Sequence, residues 1–162
     1  MDKFEIVSGT LVCSDPCYEI PTWCQGIVEN VKKGTWIAET ETVNSFGDRI
    51  SELRIRHQGS HFLSGRFERL NFTAGVDSGQ FGFFDKEFYR NDESAKDLKK
   101  YDFGVDFKKE EEEGDEWYRA CCELTLGEES YGVLPNGVVS SSGYGDGSYG
   151  VYGQKDKDGE YV

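Results

Sequence analysis

The stretch SSSGYGDGSYGVYG, residues 140–153, decides between two folds. Gly145, Gly147 and Gly150 have the spacing G-x-G-x-x-G. In a dinucleotide-binding fold that loop joins a strand to a helix, sets the pyrophosphate on the helix N-terminus, and is followed about 20 residues on by an acidic residue. Here Gly150 is followed by VYGQKDKDGEYV, which has no helical period and runs to Val162. The parallel α/β reading fails on that ground, and no G-x-x-x-x-G-K-[ST] loop is present either. The glycines are read instead as part of a β-structure. Gly143, Gly145 and Gly147 alternate with Tyr144, Asp146 and Ser148. Such spacing bares backbone N–H groups and permits close approach of a ligand or a second strand, or it simply builds a turn on Asp-Gly.

Outward from this stretch the chain reads as short strands joined by sharp turns. GTWIAETETV (34–43) and RISELRIRHQG (49–59) alternate apolar and polar residues, with Leu53, Ile55 and His57 set against Arg54 and Arg56. KFEIVSGTLVCSDP (3–16) is expected to be strand, Ser8-Gly9 turn, strand. TWCQGIVENVKKG (22–34) is open between a short helix and a loop. LNFTAGVDSGQFGFFD (70–85) predicts a strand to Val76, a turn at Asp77-Ser78-Gly79 and a strand through Phe84. KEFYRNDESAKDLKKY (86–101) is the best helix candidate, as a short surface helix or an ordered loop. EWYRACCELTL (116–126) is read as a strand, with Trp117 and Cys121 on one side and Tyr118 and Cys122 on the other. Asn136-Gly137 is a strong hairpin signal, because both residues tolerate positive φ. QKDKD (154–158) is expected to turn a last hairpin.

Eleven Phe, nine Tyr and three Trp favour pleated sheets, and twenty glycines against three prolines favour tight turns. The fold expected is mainly β, or α+β: a twisted antiparallel sheet or two-layer β-sandwich with one or two short helices. At 162 residues it is read as a single domain, 1–162, with an acidic insertion or loop within 86–116. The excess of 31 Asp and Glu over 18 Lys and Arg, a net charge of −13, disfavours nucleic acid and anionic membranes. It suits a soluble protein, a cation site or a basic partner. The run EEEEGDE (110–116) is read as a solvated linker or insertion. MDKFEIVSG is too polar for a signal sequence, and no apolar run reaches spanning length, so the chain is expected to be cytoplasmic with free thiols.

Familiar chemistry is mostly excluded by spacing. Cys13, Cys17, Cys24, Cys121 and Cys122 do not form paired C-x-x-C zinc motifs, and His57 and His61 lack the Glu of H-E-x-x-H. In DKDGE (156–160), placing Gly159 at loop position 6 puts Gln154 at position 1 and position 12 beyond Val162, so it is a turn and not an EF-hand.

Three loops recur together: SGTLVCSDPCY (8–18), VDSGQFGFFD (76–85) and SGYGDGSYGVY (142–152). In this order they resemble a widespread family of bacterial and phage proteins known only as a domain of unknown function. That family's pattern runs SG-x-L-V-x-x-DP, then (V)D-[SA]-G-x-G-x-F-x-D, then G-x-G-x-GDG-x-Y. The central match is looser, with Gln80-Phe81-Gly82 before Phe83-Phe84-Asp85, and Tyr144 stands where Trp is common. The segment 86–116 has no clear counterpart. The resemblance singles out Asp15, Asp77, Ser78, Gly79, Asp85, Gly145, Asp146, Gly147, Ser148 and Tyr149 as site residues, without bringing an activity.

Were the three loops to meet, they would form an acidic, glycine-lined pocket for a small polar ligand, a phosphate-containing one included. Asp77 and Asp146 would hold a divalent cation for hydrolysis or act as an acid/base pair. Ser78, Ser148 and the glycine N–H groups would orient the substrate. Equally, DP and DG make turns and Asp caps its own loops. The rival expectation is a noncatalytic interaction or sequestering protein, of inhibitor or immunity type, that meets a basic partner through its acidic surface.

Overall fold

The computed structural model describes residues 2–60, 66–98 and 112–162. His61, Glu110, Glu111 and the middle of the segment 86–116 lie outside these residues. Two antiparallel sheets face one another. The first has the order β1 (Asp2–Ile6), β4 (Gly34–Asn44), β5 (Asp48–His57). The second has the order β3 (Gly26–Val28), β2 (Leu11–Ser14), β8 (Gln80–Asp85), β10 (Gly137–Ser141), β9 (Tyr131–Leu134). Two short ribbons complete the strands: β7 (Ala74–Val76) with β11 (Gly147–Tyr149), and β6 (Glu68–Arg69) with β12 (Tyr152–Gly153).

The second sheet is buried on both faces. On one, Leu11, Cys13, Val138, Phe81 and Phe83 pack with Phe4, Ile6, Trp36, Ala38, Leu53 and Ile55 of the first sheet. On the other, Phe84, Leu134 and Val139 pack under α1 (Asp115–Leu126) through Trp117, Ala120 and Cys121. The molecule is therefore three-layered, sheet on sheet on helix. Phe81, Phe83 and Phe84 of β8 serve both cores, and Gly82 makes this fit possible. A Cβ there would come within 2.4 Å of the Phe84 ring and 2.3 Å of the Val138 carbonyl oxygen.

The mainly β architecture with few short helices is as expected, and several local readings are corrected. Residues 116–126 are helical. Trp117 and Cys121 are four apart, a spacing that shares a face in a strand and in a helix alike. Ala120 decides the matter: it is buried beside Trp117 at an odd spacing that only a helix allows. The helix N-terminus is held from another segment, since Asp92 accepts hydrogen bonds from Gly114 N–H (3.0 Å) and Trp117 N–H (2.9 Å). In 86–98 the chain takes the second of the two expected forms, an ordered loop with two 3-10 turns, Lys86–Phe88 and Asp92–Ala95, and residues 99–101 lie outside the described residues. Residues 22–34 contain β3 and no helix.

β1 and β2 do not pair with each other across Ser8-Gly9. β1 pairs with β4 and β2 with β3 and β8, so this turn carries the chain from one sheet to the other. The β9–β10 hairpin forms one residue earlier than Asn136-Gly137 implies. Gly137 already faces Leu134, leaving Pro135-Asn136 as the loop, and neither Asn136 nor Gly137 has positive φ. Residues 154–158 do turn: Asp156 accepts from Asp158 N–H and Glu160 N–H, and Lys155 bridges Tyr161.

Candidate functional site

Asp15, at the end of β2, is completely buried and accepts four hydrogen bonds. One oxygen takes Cys17 N–H (2.9 Å) and Ser78 Oγ (2.6 Å); the other takes Asp77 N–H (2.8 Å) and Ser78 N–H (2.7 Å). The first loop is thereby fastened to the second. From above, Tyr89 Oη donates to the backbone oxygens of Asp15 (3.2 Å) and Tyr18 (2.7 Å), and Arg90 donates to that of Pro16 (2.9 Å).

The third loop joins through the β7–β11 ribbon. Gly79 N–H donates to Asp146 Oδ1 (3.0 Å), and Ser142 N–H donates to the Gly79 carbonyl (3.0 Å). Gly79 needs its φ of +69°, and nothing lies within 4 Å of a Cβ placed there, so this glycine is required by the turn and not by a close neighbour. The loop also closes on itself: Ser142 Oγ and Tyr149 Oη both donate to the Gly145 carbonyl, at 2.8 and 2.7 Å.

The three loops thus meet around Asp15, Ser78, Gly79 and Asp146, with Asp77, Gly147 and Ser148 exposed beside them. Asp85 does not join them. It sits at the far end of six-residue β8, about 17 Å away at ~3.4 Å per residue. There it is completely buried and accepts from Val7 N–H, Ser8 N–H and Glu87 N–H, fixing the crossing between the sheets. Two of the four singled-out carboxylates are therefore enclosed by backbone donors, a third is partly engaged, and Asp77 projects outward. Among the described residues no group of three His, Cys, Asp or Glu is arranged to hold a metal.

All five cysteines are free. Burial, and then the Asp15 carboxylate, push the half-buried Cys17 thiol up to about 12. Against an ordinary thiol at 9.0, that lowers its thiolate fraction at pH 8 by about a thousandfold. Burial pushes Cys13 up to about 12 as well, and raises Cys121 and Cys122. Native protein at pH 8 is expected to leave its thiols unlabelled by a chromogenic disulfide reagent that reacts fully after urea unfolding. Rapid labelling of one native thiol would contradict this.

A further opening lies elsewhere. Between the two sheets, beside β5, is a cavity of about 860 Å³. Its walls include Leu11, Trp36, Leu53, Ile55, Phe81 and Phe83, and the glycine-rich loop reaches it through Ser142, Tyr144 and Tyr149. Well-packed interiors hold few voids larger than one water molecule, so a core this open is unfinished packing. One local sign of the layering exists, since aromatic residues on both faces of QFGFFD mark a strand between two layers. The void itself depends on residues far apart in the chain.

These features define a class: a three-layer β fold with one α-helix among the described residues, stapled loops and an open space between its sheets. The chain belongs to the family described as Protein of unknown function (DUF4241), whose model matches residues 4–162. No curated protein and no solved structure matches it.

Proposed function

We propose that the chain is a noncatalytic binding domain whose largely apolar ligand lies between the two sheets. One observation carries this reading: the space of about 860 Å³ between the two sheets. Sites for small ligands typically span about 300–1,000 Å³, with mostly apolar walls and a few polar groups. Ser140, Ser142 and Tyr149 supply polar groups beside the apolar wall. The free thiols suit a reducing cytoplasm. Among the described residues no helix is long and apolar enough to cross a membrane.

A second reading keeps a small polar ligand, with a divalent cation, at the three loops, and is favoured by the exposure of Asp77, Asp146 and Ser148 around Gly79. The engagement of Asp15 and Asp85 by backbone donors makes it the weaker of the two. Titration with 8-anilinonaphthalene-1-sulfonate separates them. The cavity reading expects one saturable site, abolished by Leu53→Trp and unchanged in Asp77→Asn/Asp146→Asn. Native mass spectrometry of chelator-free protein is the complementary readout. A retained mass lost on Asp146→Asn, together with no dye site, would replace the cavity with the loops.

A further inference from the structure

Eight consecutive residues, Arg49 to Arg56, border the cavity. One face of a strand contributes every second residue, so an unbroken run means that the edge of β5 faces the opening. Among the described residues β5 is the terminal strand of its sheet, paired only with β4. His57 N–H points away from β4, since it donates to Val162 O (3.0 Å), whereas Gln58 N–H donates back to Thr35 O (2.8 Å). Backbone groups alternate sides along a strand, so the N–H and C=O of Leu53 and Ile55 also point away from β4. No described residue bonds them.

This edge is closed at both ends. Arg49 donates to Gly143 O (2.8 Å) at one end. At the other, Val162 receives from His57 and donates to Gln154 O (3.0 Å). The last residue therefore ties the end of β5 to the segment at Gln154. Val151, Tyr152, Gly153 and Gln154 of that segment border the cavity.

We infer that the occupant is an extended peptide segment of another protein, added to β5 as a further strand where Val162 stops. This rests on the cavity reading above and names its ligand class. Pairing would use the N–H and C=O groups of Leu53 and Ile55, as in other strand-addition complexes. Alternate apolar side chains of the peptide would enter between Phe81, Phe83, Leu53 and Ile55. The side chains between them would lie on the outer face beside Arg54 and Arg56. On that face Arg54 already meets Glu52 (2.6 Å) and Glu41 (3.8 Å), and Arg56 meets Glu39 (3.5 Å). Arg56 Nε is buried without a hydrogen-bond partner among the described residues. Opposite charges on adjacent strands attract, so the intervening peptide residues are acidic.

The probe is a mixture of acetylated, amidated hexapeptides with Val, Leu or Phe at three alternating positions and Glu between them, measured by calorimetry on the whole chain. Binding is expected, weakened at least tenfold when the peptides are N-methylated at one of the two alternating sets of positions, apolar or glutamate, and little changed when they are N-methylated at the other. Ile55→Pro removes an N–H that faces away from β4, a substitution edge strands tolerate. It should weaken the peptides at least tenfold while keeping the near-UV circular dichroism. If that variant fails to fold, the N-methylated peptides on the unaltered chain decide the question. Dye binding with no hexapeptide bound at 1 mM, or equal binding of both N-methylated forms, overturns the inference and leaves the cavity reading standing. Tighter binding with Lys in place of Glu overturns the charge assignment. Absence of both dye and peptide binding overturns the cavity reading itself.

Discussion

Asp15→Ala is expected to lower the free energy of unfolding by about 4 kcal/mol, read as a shift in the urea midpoint. The substitution strips the acceptor from three backbone N–H groups and the Ser78 hydroxyl, at a carboxylate with no exposed surface. Leaving buried donors unpaired costs ~1–3 kcal/mol each, and water entering the space recovers part of that. Against a typical total of ~5–15 kcal/mol, this is a large share. Asp15→Asn keeps the shape but turns an amide N–H₂ toward two of the donors, so it should recover only part of the loss. Asp77→Asn, at an exposed side chain, should change stability by less than ~0.5 kcal/mol. Equal effects at Asp15 and Asp77 would refute the stapling role. The amide protons of Asp77 and Ser78 should exchange faster in Asp15→Ala even where the protein stays folded.

Trp117→Ala is expected to cost about 3–5 kcal/mol, the range for removing a large aromatic side chain from a packed core. Trp117 is 2% exposed, and its ring lies 5.0 Å from both Phe84 and Tyr89, which are themselves 5.5 Å apart. Edge-to-face pairs of this kind add ~0.5–1.5 kcal/mol beyond buried area. The effect should spread past the helix, because Tyr89 also holds the Asp15 loop through its hydroxyl. In a double-mutant cycle, Trp117→Ala and Tyr89→Phe should be non-additive by more than ~0.5 kcal/mol. An additive result, or a loss below 1 kcal/mol, would mean that the helix layer is not integral to the core.

The two longest strands were readable from residues alone, because β4 and β5 form a hairpin with one face against the core and the other charged. Elsewhere local pattern misled. The apolar spacing in 116–126 fits two periods, and only burial of Ala120 under another segment separates them. The Ser8-Gly9 turn has hairpin chemistry, yet its flanking strands find partners far along the chain. The three loops themselves were legible through family resemblance, and their meeting entered only as a condition. What the carboxylates do there was not, since Asp-Pro and Asp-Gly signal a turn without revealing which distant N–H groups the side chain will take. The opening beside β5 had no local signature, being a property of walls drawn from residues 11 to 162.

The order of strands has a consequence for synthesis on the ribosome. β1, β4 and β5 are all made once His57 has emerged, and they can assemble with Phe4, Ile6, Trp36 and Ala38 on one surface. The strands that cover that surface from the far side, β8 and β10, begin only at Gln80 and Gly137. At ~5–20 residues per second, the nascent chain carries a sticky, half-finished sheet for several seconds. Translation speed between β5 and β10, and the helpers that wait at the tunnel exit, therefore bear on how much of this protein escapes aggregation.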